Sequence, residues 1–207
     1  MYIDQPLHQY LDDLASAQST PGGGSASALS GAMGAALASM VARLTLGKAE
    51  YTDVQQEIEG LLQQTEHLRQ RFQQLMQEDI DAYGRLSACF KMPHNTIEEI
   101  SLRSKAIQER LVEAALVPLE MVERAAELAR CCLRITEIGN AKVLSDVATS
   151  VLLASSAAGG AEWMVQINLR SMKDAERVQA IRDRLSTAMK EVSATGKQVL
   201  DIVGRRV

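Results

Sequence analysis

The stretch TPGGGSASALSGAMGAALASMVARLTL, residues 20–46, decides the fold. It opens on a proline and three glycines, which can hold only a turn. From Ser25 to about Leu46 it continues as Ala, Gly and Ser with Leu, Met and Val among them. That composition suits a helix but leaves it no polar face, and such a helix is buried. Small residues recur every four positions, as Ser27, Gly31 and Ala35, and again as Ser30, Gly34 and Ala38. Residues at that spacing share a helix face, so neighbouring backbones can approach closely.

Outward from this segment the pattern stays helical. Ile3, Leu7, Tyr10, Leu11 and Leu14 predict a short amphipathic helix before the turn. After it, Thr52 with Gln55 reads as a capping box. The stripe Val54, Ile58, Leu61, Leu68, Phe72, Leu75, Met76, Tyr83, Leu86 and Phe90 then runs almost to Pro93. Unkinked, that helix is about 60 Å long. Thr96 with Glu99 is a second capping box, and the helix it opens meets Pro118, which predicts a kink or a division. Gly139 is the expected C-cap. Ser145 and Asp146 start a second small-residue helix reaching Asn168, with Gly159-Gly160 as a candidate break. Asp174 to Val203 forms the last. No stretch reads as a strand. The expected fold is all-α, one domain over residues 1–207, an up-and-down bundle of five to seven helices.

Composition agrees and narrows the function. Two Phe, four Tyr and one Trp in 207 residues leave the apolar content to Ala, Leu, Val, Ile and Met. Ala, Leu and Met are helix formers. The net charge of −4 comes without a basic stripe, which argues against nucleic acid as a partner. The acidic start MYIDQPLHQYLDD is no signal peptide. No unbroken apolar run reaches the roughly 18 residues of a membrane span. Cys89, Cys131 and Cys132 read as reduced thiols of a cytoplasmic protein. Without CxxC, HExxH or paired His, no metal site is expected.

Asp79 breaks its own pattern. Positions 72, 75, 76, 79, 83 and 86 form one face, so a carboxylate lies on an apolar stripe. Burial costs it several kcal/mol unless it is paired or protonated. One reading is a core Asp salt-bridged to a neighbouring helix. The other is an acid or base in a water-poor pocket. Glu78 and Asp81 fall off the stripe and read as solvated.

The turn Pro21-Gly22-Gly23-Gly24-Ser25 likewise carries two readings. It is either a tight connection or a place where a ligand meets backbone N–H groups at a helix start. It matches neither a Walker loop nor a dinucleotide fingerprint. Lys48 near a helix end is an ordinary dipole partner. Asn140 and Asp146 flank a helix junction, where capping is the default. Asn168 continues the Val151-to-Val165 face as a satisfied core amide.

Several fragments, in order, resemble the cyclodeaminase domain of formiminotransferase-cyclodeaminase and its stand-alone bacterial relatives, methenyltetrahydrofolate cyclohydrolases among them. They are TPGGGSASALSGAMGAALASMVARLTLGKAEY at 20–51, DIDAYGRLSACFKMP at 79–93 and ALVPLEMVERAAELA at 115–129. GNAKVLSD at 139–146 and INL at 167–169 follow. The resemblance implies an all-helical homodimer acting on the one-carbon unit of tetrahydrofolate, with no tightly bound cofactor besides that substrate. It implies Asp79 as the catalytic acid-base. It implies Pro21, Gly22, Gly23, Gly24, Ser25, Lys48, Asn140, Asp146 and Asn168 as substrate-binding residues. Met164 departs from the family pattern, which often carries Asn there. Asp146 and Asn168 are about 33 Å apart on one unbroken helix. A shared site therefore needs a break at Gly159-Gly160, distant elements, or two subunits. The implied activity is hydrolysis of methenyltetrahydrofolate or cyclodeamination of formiminotetrahydrofolate. A folate-binding protein without activity is the third reading. The 207 residues hold no formiminotransferase segment, which favours the hydrolase.

Overall fold

The computed structural model describes residues 1–206, and among them there is no strand. Six α-helices follow in order: α1 Leu7–Leu14, α2 Gly23–Arg43, α3 Gln55–Phe90, α4 Ile97–Ile138, α5 Leu144–Ser171 and α6 Ala175–Gly204. Helices α2 to α5 form a four-helix bundle in which α2 packs on α3 and α5, and α4 closes the ring. α6 lies outside, against α4 and α5.

The small-residue helix is the centre of this arrangement, and its glycines explain why. A Cβ on Gly31 would come within 2.5 Å of the Phe72 ring, and one on Gly34 within 2.9 Å of the Ser150 carbonyl oxygen. Gly160 on α5 meets the Ser27 hydroxyl in the same way. α2 therefore touches a large aromatic on one side and a helix backbone on the other, which no longer side chain would permit.

α3 and α4 are longer than α2. They run past its N-terminus as a hairpin closed by residues 91–96, over a small apolar cluster of Leu86, Leu111 and Ala114. Beyond α2 these helices lose their partner, so Tyr83 and Phe90 of the expected stripe are exposed. The overhang positions the site.

Local expectations fare unevenly. The Thr96–Glu99 capping box is present in both directions. The Thr52–Gln55 box is not. Thr52 bonds the Ala49 carbonyl, and the Gln55 side chain ties Gly47 N–H to the Tyr51 carbonyl. α3 thus begins at Gln55 and is about 54 Å long. Neither Pro118 nor Gly159-Gly160 interrupts its helix. Gly139 caps α4 in an extended conformation, without the left-handed turn expected of it. Ile3, Leu7 and Leu11 are exposed, and only Tyr10 of the first amphipathic helix is fully buried. By length and mean hydropathy the helices Gly23–Arg43 and Ala141–Ser171 are apolar enough to cross a bilayer, although, as expected, neither is an unbroken apolar run. In α2 most of that apolar surface is buried inside the bundle.

Candidate active site

The glycine turn and Asp79 meet at the overhang. α2 starts at Gly23, so the first-turn N–H groups of Gly23 and Gly24 have no carbonyl four residues earlier to bond. The Ser25 hydroxyl fixes the turn. It donates to the Gly22 carbonyl at 2.9 Å and accepts the Gly22 N–H at 3.2 Å. Tyr10, buried on α1, donates its hydroxyl to the same oxygen at 3.2 Å. Ser25 is thereby fully engaged inside the protein, and Pro21 is buried behind it.

Asp79 projects from α3 onto this turn. A Cβ on Gly24 would overlap its carboxylate, so glycine is the residue that lets the acid reach the helix start. Among the described residues Asp79 joins no ion pair. The salt-bridged reading therefore falls. Two effects compete at the carboxyl. Burial disfavours its charge, while the Ser25 backbone N–H favours it. Burial wins and pushes the pKa up to about 6. The same environment acts on Tyr10, whose hydroxyl is raised by burial and by the neighbouring Asp79 charge, against the Ser25 hydrogen bond.

A cavity of about 400 Å³ opens in front of the pair. Gly22, Gly23, Gly24 and Asp79 form its polar end. Tyr83, Leu86 and Phe90 of α3 face Leu111 and Ala114 of α4 across it. α5 closes it with Met164 and Asn168, the Met164 side chain lying against Gly23. A larger, shallower groove of about 700 Å³ runs between α3 and α4, past His67 and Cys131. Burial pushes the Cys131 thiol up to about 11, so it holds no thiolate near neutrality. The smaller cavity holds the unpaired acid and is where chemistry is possible.

The sequence-derived residues divide into two groups. Gly22, Gly23, Gly24, Asp79 and Asn168 share the cavity, and Pro21 and Ser25 support it. Asp146 lies toward the opposite end of the bundle, one turn before Ser150, which packs beside Gly34. Lys48 and Asn140 lie at that end, beyond the C-terminus of α2 and some 30 Å away along its axis. There Asn140 is a junction residue. Its backbone N–H bonds Thr45, its Nδ2 bonds the Leu44 carbonyl, and its Oδ1 accepts the Lys142 N–H. Lys48 is exposed, and Asp146 is half-buried in the first turn of α5. Since α5 is unbroken, Asp146 and Asn168 are not neighbours in one chain. Sequence reasoning missed Tyr10. Its place on the stripe of the first helix was visible, but nothing there showed that its hydroxyl would reach residue 25.

Fold and site together define a class: a helical bundle that presents one half-buried carboxylate without a cation to a glycine turn at a helix start. Known proteins resemble the chain in sequence and in fold. The family described as formiminotransferase-cyclodeaminase matches residues 6–187. The methenyltetrahydrofolate cyclohydrolase of Methylorubrum extorquens is 33% identical over 204 residues, covering 99% of this chain and 98% of that protein. The rat formimidoyltransferase-cyclodeaminase is 30% identical over 96% of this chain, which spans 37% of that protein. The crystal structure of the formiminotetrahydrofolate cyclodeaminase from Thermotoga maritima superposes with a TM-score of 0.90 at 26% identity, covering 99% and 98% of the two chains. The chain belongs to the formiminotransferase-cyclodeaminase family.

Proposed function

We propose that this protein is a methenyltetrahydrofolate cyclohydrolase, with Asp79 as its acid-base residue. The observation that carries the reading is the Asp79 carboxyl, half-buried against Gly24 with no cation beside it and raised to about 6. 5,10-Methenyltetrahydrofolate bears a positive charge delocalised over N5, the bridging carbon and N10. Opposite that cation an ionised Asp79 gains the partner it lacks in the free protein. Water attacks the bridging carbon as Asp79 takes its proton. The neutral carbinol then collapses with cleavage of the carbon–N5 bond. One proton of the water ends on N5 and the other leaves to solvent, giving 10-formyltetrahydrofolate. In this reading the first-turn N–H groups of Gly23 and Gly24 hold the carbinol oxygen.

A second reading has a specific observation behind it, the close superposition on a cyclodeaminase. There the formimino group reacts as its amidinium, and N10 attacks its carbon. Asp79 takes the N10 proton and passes it to the NH2 as the carbon–nitrogen bond breaks, releasing ammonia and leaving the positive charge on the methenyl bridge. Methenyl absorbance separates the two. Its decay with methenyltetrahydrofolate supports hydrolysis, and its growth from formiminotetrahydrofolate with ammonia release supports cyclodeamination. Silence on both, with tetrahydrofolate bound, supports a binding protein and overturns both enzymatic readings.

In the same reading the protein is a cytoplasmic homodimer that needs no cofactor beyond its folate substrate and acts without membrane or nucleic acid. Met33 and Met40 of α2, with Leu152, Trp163 and Ile167 of α5, are exposed on adjacent helices and make the apolar face such a dimer would cover. Lys48 and Asp146 reach a substrate at Asp79 only from a second protomer. Mixing inactive Asp79→Asn and Lys48→Ala chains then restores part of the activity, as light scattering shows dimers. Monomers, or no recovery on mixing, overturn the shared site.

A further inference from the structure

Pro118 lies buried in the middle of α4, a helix of 42 residues. It has no N–H, so the carbonyl of Ala114, four residues earlier, loses its helical donor. The missing donor comes from another helix. Asn168 Nδ2 on α5 lies 2.9 Å from the Ala114 carbonyl oxygen and 2.8 Å from that of Met164. Carbonyls only accept, so both contacts demand N–H donors, and this settles which end of the amide is nitrogen. Its two N–H groups are thereby occupied. What remains is Oδ1, which no protein donor engages among the described residues. Ala114 and Asn168 both line the Asp79 cavity.

We propose that Asn168 is an acceptor-only recognition residue of this cavity, its polarity locked by the carbonyl that Pro118 orphans, and that its Oδ1 takes an N–H of the substrate's reduced pterin. The proposal rests on the folate reading and deepens it. An amide free to flip offers a ligand either a donor or an acceptor. This one offers an acceptor alone, beside a carboxylate that is itself an acceptor when ionised. The pair suits a ligand rich in N–H groups and carrying positive charge, which describes a reduced pterin joined to a cationic bridge. In this proposal the core-amide reading of Asn168 applies to its nitrogen and the substrate-binding role implied by the resemblance to its oxygen.

A cycle of Pro118→Ala and Asn168→Ala tests both halves, by thermal unfolding and by calorimetric titration with tetrahydrofolate. Restoring the N–H at position 118 gives Ala114 its own donor. Asn168→Ala is then expected to lower Tm with Pro118 present and to lower it clearly less in the Pro118→Ala background. Equal losses overturn the lock. For tetrahydrofolate, Asn168→Ala is expected to raise Kd about three- to tenfold in both backgrounds, the worth of one neutral hydrogen bond. An unmoved Kd in the double variant overturns the recognition role. If the unaltered protein hydrolyses methenyltetrahydrofolate while that Kd stays put, the function stands and this proposal falls. If it neither binds nor turns over folates, the functional reading falls and takes the ligand half with it. Tm alone then judges the lock.

Discussion

The two ends of α2 look alike in outline and differ in one respect. At each, a glycine-bearing turn meets polar side chains from another helix. At the C-terminal end the buried polar side chains, Thr45 and Asn140, find partners: Thr45 bonds the Val41 carbonyl, Asn140 bonds three ways, and Gln55 bridges Gly47 to Tyr51. At the N-terminal end Ser25 and Tyr10 are equally satisfied, yet Asp79 beside them is left without a cation. Carboxylates withdrawn from water are normally paired with a cation, so one held only by the Ser25 backbone N–H marks where the fold accepts a cost. The contrast separates a structural junction from a candidate site.

Asp79→Asn breaks the contrast most directly. Removing the base is expected to lower kcat/KM about a thousandfold, within the usual worth of acid-base catalysis. In the unaltered protein log kcat/KM should rise with unit slope to about pH 6 and level off above, as the free carboxyl ionises. The stability effect has the opposite sign. The folded-state pKa is raised from 3.8 to about 6, so the folded protein holds its proton more tightly. Stability therefore falls as pH rises through that window, and the cost is complete above about 6. Asn escapes this cost. The variant should gain about 1–2 kcal/mol above pH 7 and little near pH 4, read from Tm at several pH values. A loss of stability at pH 8 would return Asp79 to the structural group.

Gly24→Ala tests the same pairing from the other side. The new methyl group must push the carboxylate off the helix start. A displacement of the order of an ångström costs about a hundredfold in rate. Tm should change little, because the obstacle is the end of one side chain. Circular dichroism and kcat together decide it, and full activity would mean that the position of Asp79 against the turn is irrelevant.

Much of this was legible in the sequence, for identifiable reasons. The burial of α2 followed from its lack of any polar face, and the anomaly of Asp79 from helical spacing alone. Both are local patterns. The pairing state of Asp79 was not legible, since it depends on which cations three other helices bring near it. Pro118 failed to break α4 because Asn168, 50 residues later, supplies the missing donor. Gly160 failed to break α5 because its small size serves packing against Ser27. The Thr52–Gln55 motif misled because the Gln55 side chain found better partners in the preceding turn. In the first two cases a tertiary contact overrode a local rule, and in the third a different local contact did.

At the satisfied end of α2, Asn140→Ala is expected to cost about 1–3 kcal/mol, because it orphans the Leu44 carbonyl and the Lys142 N–H. Chemical denaturation measures it. The comparison breaks if Tm holds and catalysis falls instead, for Asn140 would then belong with the substrate.

The smallest effect pits Gly24 against its counterpart at the far end, Gly47. Gly24 is required for space. Gly47 has nothing within 4 Å of where a Cβ would stand, but its φ is +72°. An L-residue there adopts the left-handed conformation at a cost of about 1 kcal/mol. Gly47→Ala should therefore lower stability by that amount and leave kcat unchanged, while Gly47→Asn, which tolerates this conformation, should recover much of it. If Ala and Asn behave alike, backbone conformation is not what holds glycine at position 47. The two glycines would then no longer illustrate the same residue serving opposite ends of one helix for different physical reasons.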